Sequence, residues 1–297
     1  MKRTAFLLIA ILLPAFVTAQ RALVLQTDFG TKDGAVAAMK GVAFGVSPAM
    51  PVFDLTHEIP PYNIWEAAYR LYQTATYWPA GTVFVSVIDP GVGSNRKSVV
   101  LLTKSGHYFV TPDNGTLTLV AEHLGIEALR EIDESRNRLP GSGNSYTFHG
   151  RDVYAYTGAR LAAGKIPFDS VGPLLTGAVV AIPYKKAQVS NNKASGNIPI
   201  LDVQYGNVWT NIGEKELAAL GIRYGDRIKI SIYHENLFKH QSVIPFVTTF
   251  SAVQPGFALA YYNSLMQLSF AVNEDSFSGK YQIGSGPGWR VEIEKFK

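Results

Sequence analysis

Residues 87–100, VIDPGVGSNRKSVV, place a carboxylate, Asp89, and a guanidinium, Arg96, on either side of a glycine-bearing turn between two apolar runs. A carboxylate only accepts hydrogen bonds and a guanidinium only donates them. Brought together, the two can hold and polarise a small polar molecule; left apart, they are solvated charges on a turn. Gly91 and Gly93 let the backbone bend sharply and approach a ligand closely. The run is too short for a phosphate loop, and no Lys-Ser/Thr pair opens a helix after it. A second chemical group stands in YTFHGRDVYAY, residues 146–156. There His149 and Gly150 precede a predicted helix, whose free N–H groups face any ligand. An imidazole at such a junction can orient or deprotonate a water, or serve the fold alone.

Three further segments carry polar side chains in suggestive patterns. In TDFGTKDG, 27–34, Asp28 ends a strand and can accept two hydroxyls of a ribose, while Asp33 can bind an ammonium or cap a helix. In LDVQYGNVWTNI, 201–212, Asp202 and Asn207 bracket Tyr205 around Gly206. A ring that stacks a base and an amide that reads its edge would make a purine site; the alternative is a bulged strand with surface polar groups. In ALAYYNSLMQLSFAVN, 258–273, Asn263 and Ser264 interrupt an apolar run as turn residues or ligand contacts. The remaining histidines, His57, His107, His123, His234 and His240, show no metal-ligand spacing, so no metal is assigned.

These residues sit in a chain of 297, long enough for one large domain or two smaller ones. Apolar residues make up 47% and charged residues 17%, which fits a globular protein and excludes disordered and fibrous classes. The opening MKRTAFLLIAILLPAFVTAQ has a basic start, an apolar stretch and a Val17-Thr18-Ala19 cleavage pattern, and reads as a signal peptide over 1–19. Its loss lowers the formal charge from +4 by the two units of Lys2 and Arg3. A nearly neutral chain without basic runs implies no nucleic-acid partner and no membrane partner after cleavage. The absence of cysteine excludes disulfides and thiolate chemistry. The expected location is therefore periplasmic or extracellular.

Patterning supplies the elements that must position the site. Strands are predicted at 22–27, 51–56 and 81–89, and a hairpin over 97–111. Helices are predicted over 33–46, with Asp33 as N-cap, and over 64–78, 117–124 and 150–163. Alternating strands and helices over 20–183 argue for an α/β domain with a mainly parallel central sheet flanked by helices. In such sheets ligands sit beyond the carboxyl ends of strands, where Asp28 and Asp89 fall. Residues 184–197 are polar and turn-rich and read as a linker. Over 198–297 short strands dominate, with one helix at 214–220, as in a small β-barrel or sandwich.

The segments TDFGTKDG, DLTHEIPPYNI, DPGVGSNRKSVV, TPDNGTLT, FHGRD, DVQYGNVWTNI and YYNSLMQLSFAVN, in that order, resemble the S-adenosyl-L-methionine (SAM) hydrolases, or SAM hydroxide adenosyltransferases, relatives of the fluorinase and chlorinase. The resemblance implies hydrolysis of SAM to adenosine and L-methionine without a cofactor. It also implies a C-terminal β-barrel domain and a homotrimer with sites between the N-domain of one subunit and the C-domain of the next. By the same resemblance Asp89, Arg96 and His149 position the attacking water. Asp28 holds the ribose hydroxyls, Asp33 the methionine ammonium, and Tyr205 and Phe250 sandwich the adenine. Asn207 reads the base, Asp202 and Ser264 meet the methionine end, and Tyr62 and Phe148 complete the substrate pocket. Asp89 stands where the fluorinase has an uncharged tyrosine, and Gly150 where it has a halide-binding serine. Glycine there is shared with the chlorinase, which leaves a chloride-dependent halogenase as an alternative; a non-catalytic binder of adenosine or SAM outside the cytoplasm is another.

Overall fold

The structure is a computed structural model and describes residues 21–296, so the expected signal peptide lies outside the described residues. The N-terminal half runs β1 (Leu23–Thr27), α1 (Ala35–Val46), β2 (Val52–Thr56), α2 (Ile64–Ala75) and β3 (Val83–Val87). A hairpin of β4 (Ser98–Thr103) and β5 (Tyr108–Pro112) follows, then α3 (Thr118–Leu124), β6 (Ile126–Glu131) and the short α4 (Glu134–Asn137). These strands form one sheet in the order β2-β1-β3-β5-β4-β6. β1 pairs parallel with β2 and β3, and β3 with β5; only β4 runs antiparallel to its neighbours. β6 was not predicted. Its residues IEALRE are helix formers, and pairing with β4 overrides that preference.

Strand periodicity explains the layers. Successive side chains point to opposite faces. Leu23, Leu25, Val83 and Val85 go to one core with Met39 and Ala43 of α1. Val24 and Phe84 go to the other, with Leu71 and Ala75 of α2 and Val120 of α3. The predicted helix over 150–163 divides in two, a π-helical turn over Gly150–Ala155 and α5 (Tyr156–Ala162). Such π-turns widen a helix by one residue and recur beside functional groups. This one begins directly after His149.

The predicted linker is strand in large part, carrying β7 (Gln188–Ser190) and β8 (Lys193–Asn197). Beyond it come β9 (Ile200–Asp202), β10 (Asn207–Gly213), α6 (Glu214–Ala219), β11 (Arg227–His234) and β12 (Leu237–Pro245). β13 (Ala258–Tyr262), β14 (Gln267–Val272), α7 (Phe277–Tyr281) and β15 (Trp289–Lys295) complete the chain. Two antiparallel sheets result, ordered β13-β14-β10-β9 and β12-β11-β15-β8-β7, with no closed barrel among the described residues. They share one core, in which Ile228, Ile230 and Ile293 of one sheet meet Val208 and Phe270 of the other. The two halves meet along α2, where Trp65 and Tyr69 pack with Ile200 and Trp209. Trp65 Nε1 donates to the Pro199 carbonyl at 2.8 Å.

Gly158 shows how closely α5 lies on the sheet, since a Cβ there would come within 2.4 Å of Val85 Cγ2. Alanine would gain up to about 1 kcal/mol of helix propensity, against an overpacking cost of about 1–3 kcal/mol. At so short a contact the clash wins. Gly158→Ala is expected to lower the urea midpoint without changing the slope of the transition; an unchanged or raised midpoint would contradict this packing.

Candidate active site

The chain leaves β1 toward β2 on one side and returns from β2 to β3 on the other, so the sheet order reverses between β1 and β3. Two connections diverging from neighbouring strands leave a crevice beyond their carboxyl ends. Asp28 follows β1 directly and Asp89 stands two residues past β3. Both line a cavity of about 350 Å³ together with Phe29, Tyr62, Phe148 and His149. Five of the predicted site residues therefore converge from four separate stretches of chain.

The turn at 89–96 folds Arg96 back onto Asp89. Val92 N donates to the Asp89 carbonyl at 3.2 Å and Ser94 N to the Gly91 carbonyl at 2.9 Å. Gly93 has φ of 77°, the left-handed region that favours glycine. Arg96 then grips Asp89 with two bonds, Nε to Oδ1 at 2.8 Å and Nη2 to Oδ2 at 2.5 Å. The side chains are only 11% and 6% exposed, so solvent screens the pair weakly. Burial opposes the charge on Arg96, but its hydrogen bonds to Asp89 and the fields of Tyr154, Asp89 and Glu134 outweigh it and raise the guanidinium above its ordinary value. Arg96 Nη1 donates to Ser98 Oγ at 3.1 Å, which completes its fork.

His149 is 4% exposed at the start of the π-turn. Its Nε2 lies 3.6 Å from Glu134 Oε2, and its Nδ1 is buried without a partner. Burial pushes the imidazole below its usual range; Glu134 and Asp89 pull it back up, while Arg96 and Arg138 add to the fall. The ring is thereby biased toward the neutral form, which retains a lone pair. Gly150 beside it packs against Phe29 and Val87, and a Cβ there would lie 3.1 Å from the Phe29 ring.

Contacts that sequence reasoning did not reach hold this frame in place, two of them made by His57 and Asn114, which it left without a role. Asp28 Oδ2 accepts from Tyr62 N at 2.9 Å, and Tyr62 pays with a φ of 68°. Buried His57 bridges Thr27 Oγ1 at 2.9 Å and Asp54 Oδ1 at 3.0 Å, and its carbonyl accepts from Gly30 N at 2.7 Å. Asn114 Nδ2 donates to the Ile88 carbonyl at 2.8 Å, one residue before Asp89. The signal for these was their presence in the quoted motifs DLTHEIPPYNI and TPDNGTLT, which set the turn carrying Asp28 and the end of β3.

A second cavity, of about 880 Å³, lies in the C-terminal half. Asp202, Tyr205, Asn207 and Phe250 line it, together with Tyr261, the 273–276 turn and the first residues of α7. Asn207 is buried and donates from Nδ2 to Asp202 Oδ2 at 3.1 Å. Gly206 must be glycine, for its φ is 69° and a Cβ would strike Ser276. Tyr205 is 68% exposed and Tyr62, in the first cavity, 72%. The two cavities share no lining residue. Asp33 and Ser264 line neither. Asp33 Oδ1 accepts from Ala35 N at 2.9 Å beside Gly34, the true N-cap of α1. The Ser264 carbonyl accepts from Tyr77 OH at 3.2 Å.

Family models described as the SAM hydroxide adenosyltransferase N-terminal and C-terminal domains match residues 23–172 and 196–290. A protein of Methanocaldococcus jannaschii named (R)-S-adenosyl-L-methionine hydrolase is 42% identical over 216 residues, 71% of this chain and 73% of that protein. A fluorinase of Actinopolyspora mzabensis is 30% identical over 90% of this chain and 95% of its own length. The crystal structure of an uncharacterized conserved protein from Thermotoga maritima superposes with a TM-score of 0.85 at 33% identity, covering 92% of this chain and 99% of that one.

Removing one partner of a buried ion pair strands the other, at about 3–5 kcal/mol, whereas replacing both by apolar groups is often neutral. Arg96→Met is therefore expected to destabilise the protein strongly in urea unfolding, and Asp89→Leu combined with Arg96→Met to recover most of that loss. Additive losses in the double variant would show that the pair is not coupled.

Proposed function

Because this chain belongs to the SAM hydroxide adenosyltransferase family, we propose that it hydrolyses S-adenosyl-L-methionine to adenosine and L-methionine. Water attacks C5′ of the ribose in line with the C5′–S bond. As the C–O bond forms, the sulfonium takes the C–S electron pair and leaves as the neutral thioether of methionine, so sulfur needs no acid. The protein's task is to place the water and stabilise the hydroxide character it gains. Asp89 accepts one hydrogen of the water, Arg96 offsets the charge, and neutral His149 accepts the proton that must be lost.

The carrying observation is that Asp89, held by Arg96, and His149 line one cavity with Asp28. That set also favours water over halide. A carboxylate repels an anionic nucleophile. A scavenging protein would have no use for the water-holding groups. Incubation with SAM is expected to yield adenosine and methionine, with and without chloride. 5′-Chloro-5′-deoxyadenosine would establish the halogenase instead, and tight nucleoside binding without turnover a binding protein. Asp89→Asn should lower kcat by about 100-fold or more, with nucleoside affinity nearly unchanged. The need for neutral His149, itself depressed by burial, places the acid limb of kcat below the ordinary imidazole value of about 6.5; a limb above that value would remove His149 from the step.

We further propose that the two cavities are halves of one site closed between subunits of a homotrimer. In this arrangement Asp28 holds the ribose and Tyr205, Phe250 and Asn207 of the neighbour hold the adenine. The separation of the cavities within one chain and the exposed rings at each support it. A ring of heterologous contacts pairs each N-terminal half with a neighbour's C-terminal half, so co-expressed Asp89→Asn and Asn207→Ala chains should recover about a quarter of wild-type activity. No recovery, or a monomer in sedimentation, would mean that the site closes within one chain. The opening 1–19 segment supports export, and an uncleaved N-terminus in the mature protein would contradict it.

A further inference from the structure

Asp28 stands in a web of hydrogen bonds that the hydrolytic step does not touch. Thr27 before it is fully buried, and its Oγ1 accepts from Phe29 N at 3.2 Å, so one hydroxyl closes a turn around Asp28. His57, also buried, meets the same hydroxyl with Nδ1 at 2.9 Å and reaches Asp54 Oδ1 with Nε2 at 3.0 Å. Its carbonyl accepts from Gly30 N at 2.7 Å, where the chain turns with φ of 66°. Further along the same connection, Tyr62 N donates to Asp28 Oδ2 at 2.9 Å. The 57–62 segment thus holds the Asp28 turn at both ends, its hydroxyl and backbone at His57 and its carboxylate at Tyr62.

The hydrogens in this web have assigned places. Burial opposes the charge on Asp54, but hydrogen bonds from Lys40, at 2.7 Å, and from His57 outweigh it and hold the carboxyl below its ordinary range. An ionised carboxylate only accepts, so His57 Nε2 carries the hydrogen. In the neutral ring Nδ1 is then a bare acceptor. Thr27 gives it the hydroxyl hydrogen and keeps its oxygen for Phe29 N, so both functions of the hydroxyl are used. Tyr62 N takes one lone pair of Asp28 Oδ2, which leaves Oδ1 and a second lone pair of Oδ2 as acceptors for two neighbouring hydroxyls.

We propose that His57 is a positioning residue that, through Thr27, sets the angle of the Asp28 carboxylate and so fixes selectivity for a sugar carrying a cis-diol. A carboxylate makes two charge-assisted hydrogen bonds to a diol only when it is aimed along it. The adenine contacts come from the other cavity and do not depend on this web. The proposal deepens the hydrolase reading and rests on it for the role of Asp28 at the ribose.

The test is titration calorimetry of the purified protein with adenosine and with 2′,3′-dideoxyadenosine, which lacks the diol. The wild type is expected to prefer adenosine by at least about 10-fold, as hydrogen bonds to a charged group require. Thr27→Val keeps the side-chain shape and removes the hydroxyl. There the preference should fall to about threefold or less, while the dideoxynucleoside binds within about twofold of wild type. His57→Leu should do the same, and Thr27→Ser, which keeps the hydroxyl, should keep the wild-type ratio. A merely structural role would weaken both ligands alike. An unchanged preference in Thr27→Val, an equal loss for both nucleosides, or a wild type that does not distinguish them overturns the proposal. If one of the two loosened variants does not fold, the other decides. If the wild type shows the preference but does not turn SAM over, the hydrolase reading falls, while the affinity ratios still judge His57.

Discussion

The bidentate grip of Arg96 on Asp89 is the constraint that the N-terminal half is organised around. Two opposite charges withdrawn from water are tolerated only when geometry satisfies both, and each neighbouring feature contributes to that. The glycine at 93 turns the chain so that Arg96 returns over Asp89. Asn114 fixes the backbone one residue before Asp89, and Ser98 takes the remaining arm of the guanidinium. With the pair locked, the local field is set before any ligand arrives, which is what electrostatic preorganisation requires.

The fold explains why this pair meets Asp28 and His149. The crevice between β1 and β3 is a consequence of sheet order, and the two acids stand at its rim because each ends a strand. His149 reaches the same place from the position directly before a π-helical turn. Around this rim the electrostatics are balanced. Asp89 and Glu134 face Arg96 and Arg138, with His149 between them and held toward neutrality by burial.

The C-terminal half follows a different logic. Two antiparallel sheets bury one core and leave Tyr205, Val203 and Phe250 toward solvent around Asn207. Exposed rings beside a buried, hydrogen-bonded amide are ill suited to a free surface and well suited to a face that a ligand or a neighbouring subunit covers. The contact along α2 holds the two halves of one chain together while their cavities remain separate.

Much of this was legible from residue order alone. The strand-end acids, the mainly parallel sheet and the histidine before a helix follow from local rules, because period-2 and period-3.6 patterns and turn residues act over a few positions. The residue types at 28, 89, 96, 149, 205 and 207 likewise determined which chemistry was available. Other features depended on contacts that no local pattern encodes. β6 became a strand only by pairing with β4, and the polar 184–197 stretch gained strands by adding to β15. The Asp33 carboxylate accepts from the first turn of α1, and the Ser264 carbonyl from the Tyr77 hydroxyl. Glu134 was one of many surface-type acids until packing set it against His149, 15 positions away in sequence. Tertiary structure decided these because they depend on which elements become neighbours, a property of the whole sheet order and its packing rather than of any short segment.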